Sequence, residues 1–160
     1  MSTTLAPQAR PGVSLPPSFV LEHSAGSPEA AARHFSNKLA FECDPSDVNG
    51  DLERGVTGFV VVDARSPEVY AAGHVPGAIN LPHRAISAET LRQFHRNTIF
   101  VTYCTGPNCN AAAKAGARIA SLGYRIKEMI GGFEYWQQEG HAVEGSVSVQ
   151  GNSCGCLPSP

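Results

Sequence analysis

The chain has no long hydrophobic run, no basic cluster and few charges for its length, and each shortage excludes a class of function. Nowhere does it approach the roughly 20 consecutive apolar residues that a membrane helix needs, so a membrane is not an expected partner. Lys and Arg total 12 against 14 Asp and Glu, for a formal net charge of −2, and no Lys/Arg run is present to neutralise phosphates. Nucleic acid is therefore not expected as a partner either. The N-terminus lacks the charged-then-apolar pattern of a secretory signal, which sets the cytoplasm as the expected location. Five cysteines (Cys43, Cys104, Cys109, Cys154 and Cys156) show no zinc-finger spacing. Their odd number, without a signal sequence, fits individually employed thiols better than a disulfide framework, and no metal or cofactor is expected.

What is present amounts to one ordinary core: 160 residues, 42% of them hydrophobic and 16% charged. Residues 1–27 hold Pro7, Pro11, Pro16, Pro17, Gly12 and Gly26 without sustained periodicity, and read as a flexible leader. Ser27-Pro28-Glu29 combines a capping serine, a first-turn proline and an acidic residue, which predicts a helix running to Lys38. A short strand is expected over 39–42 and a turn with a brief helix over 44–54. Phe59-Val60-Val61-Val62-Asp63 is an unbroken β-branched run of the kind buried on both faces of a parallel sheet. Beyond it the pattern predicts helix 67–72, strand 78–81, helix 88–95, strand 99–103, helix 110–122, strand 125–130 and helix 133–138. This alternation implies an α/β fold with a central, mainly parallel sheet of about five strands flanked by helices on both faces. The expected organisation is a leader (1–27), one domain (28–143) and a flexible cysteine-containing tail (144–160).

In such sheets the sites lie at the carboxyl ends of strands. Cys104 follows the strand 99–103, and Thr105-Gly106-Pro107-Asn108-Cys109 turns into a helix that begins near Asn110. In that helix Ala112, Ala115, Gly116, Ile119 and Leu122 share one face while Lys114, Arg118 and Ser121 share the other, so one side packs and the other meets water. Gly123 is placed to end it. Unpaired N–H groups at a helix start carry the positive end of its dipole, so they favour a thiolate at Cys104 and can cradle an anion in the loop. Asp63 and Arg65, at the end of another strand, read as a pair that holds the same rim, with Arg65 also a candidate to offer charge to a substrate. His74 reads as a hydrogen-bonded structural residue, and His83, Arg84 and Lys114 as solvated rim residues. Trp136 reads as a core anchor, and Cys43 carries no motif.

Taken in order, Val61-Val62-Asp63-Ala64-Arg65-Ser66-Pro67-Glu68, Gly73-His74-Val75-Pro76-Gly77-Ala78-Ile79-Asn80-Leu81-Pro82, Tyr103-Cys104 and Gly131-Gly132 with Trp136 and Gly140 resemble the single-domain rhodaneses from about Leu39 to Val143. The resemblance implies a rhodanese-like fold and a sulfurtransferase. Cys104 would take the outer sulfur of a donor such as thiosulfate as a persulfide and pass it to cyanide or a thiol, with a protein acceptor as a further possibility. It also implies that Thr105, Gly106, Pro107, Asn108, Cys109 and Asn110 bind the substrate. Chemistry agrees on the nucleophile, because a covalent intermediate divides one hard transfer into two easier ones.

The chain departs from the family pattern in its loop. Many rhodanese loops carry a basic residue, yet residues 105–110 contain neither Lys nor Arg, and Pro107 removes one backbone donor. Counted from Cys104 to Asn110 the loop has seven residues, a length nearer to the related cell-cycle phosphatases and arsenate reductases. Those enzymes need an arginine where Asn110 stands, so a phosphoryl transition state would lose its main charge partner. A second reading, from a different class, is a non-catalytic sulfur carrier or redox sensor acting on a partner protein. Cys109 has two readings of its own: a small side chain packed under the loop, or a second thiol that attacks a persulfide or sulfenate on Cys104 and closes a disulfide. Cys154 and Cys156 are either incidental thiols or a pair that receives sulfur from Cys104.

Overall fold

The computed structural model describes residues 18–146. Five strands run through it: β1 (Glu42–Cys43), β2 (Phe59–Asp63), β3 (Ile79–Asn80), β4 (Ile99–Tyr103) and β5 (Arg125–Met129). They alternate with six helices: α1 (Pro28–Phe41), α2 (Pro45–Glu53), α3 (Pro67–Ala72), α4 (Ala88–Leu91), α5 (Ala111–Ser121) and α6 (Gly132–Gln138). The strands form a single sheet in the order β1-β5-β4-β2-β3, and every pairing is parallel. The two β-branched runs, β2 and β4, lie side by side near its centre, in register from Phe59 opposite Ile99 to Asp63 opposite Tyr103. The α/β fold read from the alternation is the observed one.

Strand alternation sends successive side chains to opposite faces of the sheet. Val62, Ala64, Phe100 and Cys104 join Ala111, Ala112, Ala115 and Ile119 of α5 in one buried cluster. Val61, Val101 and Tyr103 join Val48, Met129, Phe133 and Trp136 in the other, beneath α2 and α6. The small residues of α5 let it lie close to the sheet: a Cβ on Gly116 would stand 3.2 Å from Ile126 Cγ1. At the same contact the Thr102 hydroxyl donates to the Ala112 carbonyl at 3.2 Å. Gly123 ends α5 with φ of +86°, the left-handed conformation expected of it.

Several boundaries differ from the sequence reading. Residues 39–41 extend α1 rather than forming a strand, and only Glu42 and Cys43 pair with β5. Leu-Ala-Phe carries no helix breaker, and Lys127 donates to the Leu39 carbonyl at 2.8 Å, satisfying a group near the helix's end. The helix expected over 88–95 stops at Leu91: Ser87 and Thr90 form a capping box at its start, and Arg92 N–H already bonds back to Glu89 O. His83–Ala85 forms a short 3-10 turn that periodicity does not signal.

Among the described residues, 18–34 and 35–146 form two compact units. In the first, residues 18–26 are exposed without helix or strand, and the Ser27 hydroxyl caps α1 by accepting the Ala30 N–H at 3.2 Å. At the other end, residues 144–146 remain bonded to the domain, with Glu144 in a bridge to His74 and Ser146 N–H on the Ala71 carbonyl. Residues 1–17 and 147–160, including Cys154 and Cys156, lie outside the described residues. Among the described residues no helix is long and apolar enough to cross a membrane.

Candidate active site

β4 ends at Tyr103 and delivers Cys104, 2% exposed, to the carboxyl rim of the sheet. The next two carbonyls are held from across the rim: Phe133 N–H donates to Cys104 O at 2.9 Å and Glu134 N–H to Thr105 O at 2.7 Å. Both donors belong to the first turn of α6, whose own entry depends on two successive left-handed glycines, Gly131 (φ +78°) and Gly132 (φ +63°). Gly132 also has to be bare for steric reasons, since a Cβ there would lie 2.5 Å from Cys104 O and 3.0 Å from Gly106 N. From Gly106 the chain reverses in a β-turn, with Pro107 at the position its fixed φ suits and Cys109 N–H bonded to Gly106 O at 3.0 Å. The turn brings Cys109 back to Cys104, with Cα atoms 6.1 Å apart, and the two form a disulfide. Cys109 is bonded to Cys104 and its side chain also packs against the cluster beneath α5. Asn110 then leads into α5 without a side-chain cap.

A pocket of about 240 Å³ opens over the loop, lined by Cys104, Gly106, Pro107 and Cys109 on one side and by residues 128–132 on the other. Four of the seven loop residues thus reach it, while Thr105, Asn108 and Asn110 do not line it. The Thr105 hydroxyl is buried and has no hydrogen-bond partner among the described residues. Among the described residues the charged lining residue is Glu128, and no Lys, Arg or His joins it. Burial, and then the Glu42 carboxylate opposite it on β1, raise the Glu128 carboxyl above its usual value. A second carboxylate, Glu134, packs against the bare Cα of Gly106.

Arg65 does not reach this pocket. It is 3% exposed and turned onto Asp63, with Nε 2.9 and 3.0 Å from the two carboxylate oxygens and Nη2 also donating to Gly73 O at 2.6 Å. Tyr103 completes the cluster: its hydroxyl donates to Asp63 Oδ2 at 2.6 Å and accepts Val75 N–H at 3.1 Å. Burial alone would pull the guanidinium down, but its hydrogen bonds and charge contact with Asp63, helped by Tyr103, leave it raised. Burial, and then the charge of Asp63, push the Tyr103 phenol far above its ordinary range. The rim pair read from sequence is present as a buried ion pair, and Arg65, turned onto Asp63, is not among the residues that line this pocket. Asp63 and Tyr103 lie on the α6 side of the sheet and Cys104 on the α5 side, a difference already contained in strand parity.

The remaining candidates sort by contact. His74 is structural: its ring stacks on Tyr70 at 3.8 Å, and Nδ1 lies 2.8 Å from Tyr70 O. Trp136 is fully buried and donates to Ala142 O at 2.8 Å. Cys43 is half-buried at the opposite end of the sheet order from β3, and burial pushes its thiol up to about 11. Sequence reasoning missed Glu128 and Glu134, because nothing local ties them to the loop. Gly131-Gly132 enters the sequence reading as part of the family pattern, and nothing local signals the loop carbonyls seated there.

Comparison with known proteins agrees with this geometry. The family model of the rhodanese-like domain matches residues 44–139. The HTH-type transcriptional regulator Rv0324 of Mycobacterium tuberculosis is 34% identical over 99 residues, which span 61% of this chain but only 43% of that protein. The thiosulfate sulfurtransferase GlpE of Pseudomonas entomophila is 32% identical over 93 residues, covering 56% of this chain and 83% of the relative. Among solved structures, the BH2092 protein of Bacillus halodurans is 44% identical with a TM-score of 0.73, over 74% of this chain and 87% of that one. The rhodanese-like domain of the Anabaena protein Alr3790, at 22% identity and a TM-score of 0.61 over 74% and 92% of the two chains, shares the fold.

Proposed function

The chain belongs to the rhodanese-like domain family, and from that premise we propose that it is a sulfurtransferase acting through a persulfide on Cys104. With the loop reduced, the Cys104 thiolate attacks the outer sulfur of thiosulfate. The sulfur–sulfur bond of the donor breaks, sulfite leaves with the electron pair, and the sulfane sulfur stays on Cys104. Cyanide or an incoming thiol then takes that sulfur and returns the thiolate. The observation that carries the reading is the position of Cys104: the end of a central parallel strand, ahead of α5, with its loop carbonyls held by α6 and an open pocket above it. A sulfur held in this way is preorganised for attack and needs no rearrangement of the sheet.

The test uses reduced protein freed of reductant, mixed with thiosulfate and then cyanide. The expected outcome is sulfite in the first step and thiocyanate in the second, with both lost in Cys104→Ser. Cys104→Ser protein that still forms thiocyanate would sink the assignment.

One observation favours a second reading, a carrier that accepts sulfur from a partner protein. The pocket carries the Glu128 carboxylate and no cationic lining residue, so a small dianionic donor gains little charge attraction there. A carrier would take sulfur from a protein persulfide while leaving thiosulfate unused.

A further inference from the structure

The disulfide between Cys104 and Cys109 joins the very sulfur that the proposed persulfide would occupy. Cys104 Sγ can hold a sulfane sulfur or Cys109 Sγ, but not both. The structure therefore shows that a second thiol reaches the inner sulfur of the site without leaving its own loop.

We infer that Cys109 resolves the persulfide on Cys104, so that the domain releases sulfide and acts as a thiosulfate reductase toward thiols as well as a sulfur donor. The inference rests on the persulfide reading above. Its chemistry balances without an added oxidant. The Cys109 thiolate attacks Cys104 Sγ, the Cys104–sulfane bond breaks, and hydrosulfide leaves with the electron pair. The two protein thiols are oxidised by two electrons and the sulfane sulfur is reduced to sulfide. A small thiol or dithiol reductant then reopens the disulfide. The sum is one thiosulfate and two reductant thiols giving one sulfite, one hydrogen sulfide and one reductant disulfide.

Three features of the loop suit this step. The Cys104 end is fixed by Phe133 and Glu134, while the Pro107 turn returns Cys109 toward it, so attack is intramolecular and avoids the entropy of bringing in an outside thiol. Both cysteines line the same pocket, which gives hydrosulfide a way out and the reductant a way in. Among the described residues the lining includes the Glu128 carboxylate and no lysine, arginine or histidine, so a departing anion meets no side-chain cation there. The other described cysteine, Cys43, stands on β1 and lines a separate pocket rather than this one, and burial holds its thiol protonated.

The deciding experiment is a single turnover of the full chain, fully reduced, stripped of reductant under anaerobic conditions and given one equivalent of thiosulfate. Sulfite, sulfide and the mass of tryptic peptide 97–114, which carries both loop cysteines, are read together. The wild-type protein should yield sulfite and sulfide in equal amounts, with that peptide lighter by two hydrogens. Cys109→Ser should yield about tenfold less sulfide per sulfite released, or lower still, and a peptide heavier by one sulfur atom that cyanide removes.

Wild-type peptide that keeps the added sulfur, with sulfide as low as in Cys109→Ser, would overturn the resolving role while leaving the sulfurtransferase intact. So would sulfide release with no loss of hydrogens from that peptide, since another thiol would then be the resolver. No sulfite from either protein would instead overturn the reading of the domain as a thiosulfate sulfurtransferase, and this inference of thiosulfate reduction with it.

Discussion

Arg65 and Glu128 are both charged and close to the rim, yet they act in opposite senses. Arg65 is committed to Asp63 and Gly73 inside the domain, so its removal leaves a buried carboxylate without its cation. Breaking one side of such a pair costs about 3–5 kcal/mol, and Arg65→Ala should lower unfolding stability by that order in urea denaturation. Arg65→Lys should recover only part of it, because an ammonium cannot reproduce the fork. Glu128 is exposed to the pocket and its carboxyl is raised by burial and by Glu42. A raised carboxyl holds its proton more tightly in the folded chain. Its contribution to stability is therefore complete below the ordinary carboxylate range and is lost as pH rises through the raised value. Over the same interval it gains the charge that repels thiosulfate. The KM for thiosulfate should rise with pH across that window in the wild type and stay flat in Glu128→Gln, as steady-state cyanolysis over a pH series would read. Sequence reasoning reached the Asp63–Arg65 pair because the two residues are neighbours. It could not reach Tyr103 as their third member or Glu128 as a pocket wall, because those contacts exist only once parallel strands are in register.

At the scale of elements, the loop is held from outside itself. α6 supplies the N–H groups that fix Cys104 and Thr105, and Gly132 supplies the bare surface that allows the approach. Gly132→Ala would place a methyl where the Cys104 carbonyl stands and would also impose an unfavourable left-handed φ, at a cost of about 1–3 kcal/mol. The larger effect should fall on chemistry: a displacement of the loop by a fraction of an ångström to about 1 Å should cut kcat/KM for sulfur transfer by tenfold to about a hundredfold, with the circular dichroism spectrum unchanged. β2, β4 and α5 were legible in the sequence because a short run rich in apolar and β-branched residues and a one-sided helix leave strong signals. β1 and β3 have two residues each, too few for any periodicity, and the end of α1 was settled by Lys127 reaching over from β5.

For the molecule as a whole, the alternation of strands and helices predicted the parallel sheet, and the sheet predicted the rim on which Cys104 stands. Strand parity then divided that rim in two. Cys104 faces α5, while Asp63 and Tyr103 face α6, at the same level of the sheet. One residue spans the division. Phe133 gives its backbone N–H to the Cys104 carbonyl, and its ring lies 4.2 Å beneath the Arg65 guanidinium. Hardening this scaffold by exchanging the buried ion pair for apolar side chains is a route that often preserves or raises stability. Here the same exchange would take the cation from the ring of the residue whose backbone N–H holds the Cys104 carbonyl. Heat tolerance and the proposed sulfur transfer thus share one residue, and a variant hardened in this way is expected to change both.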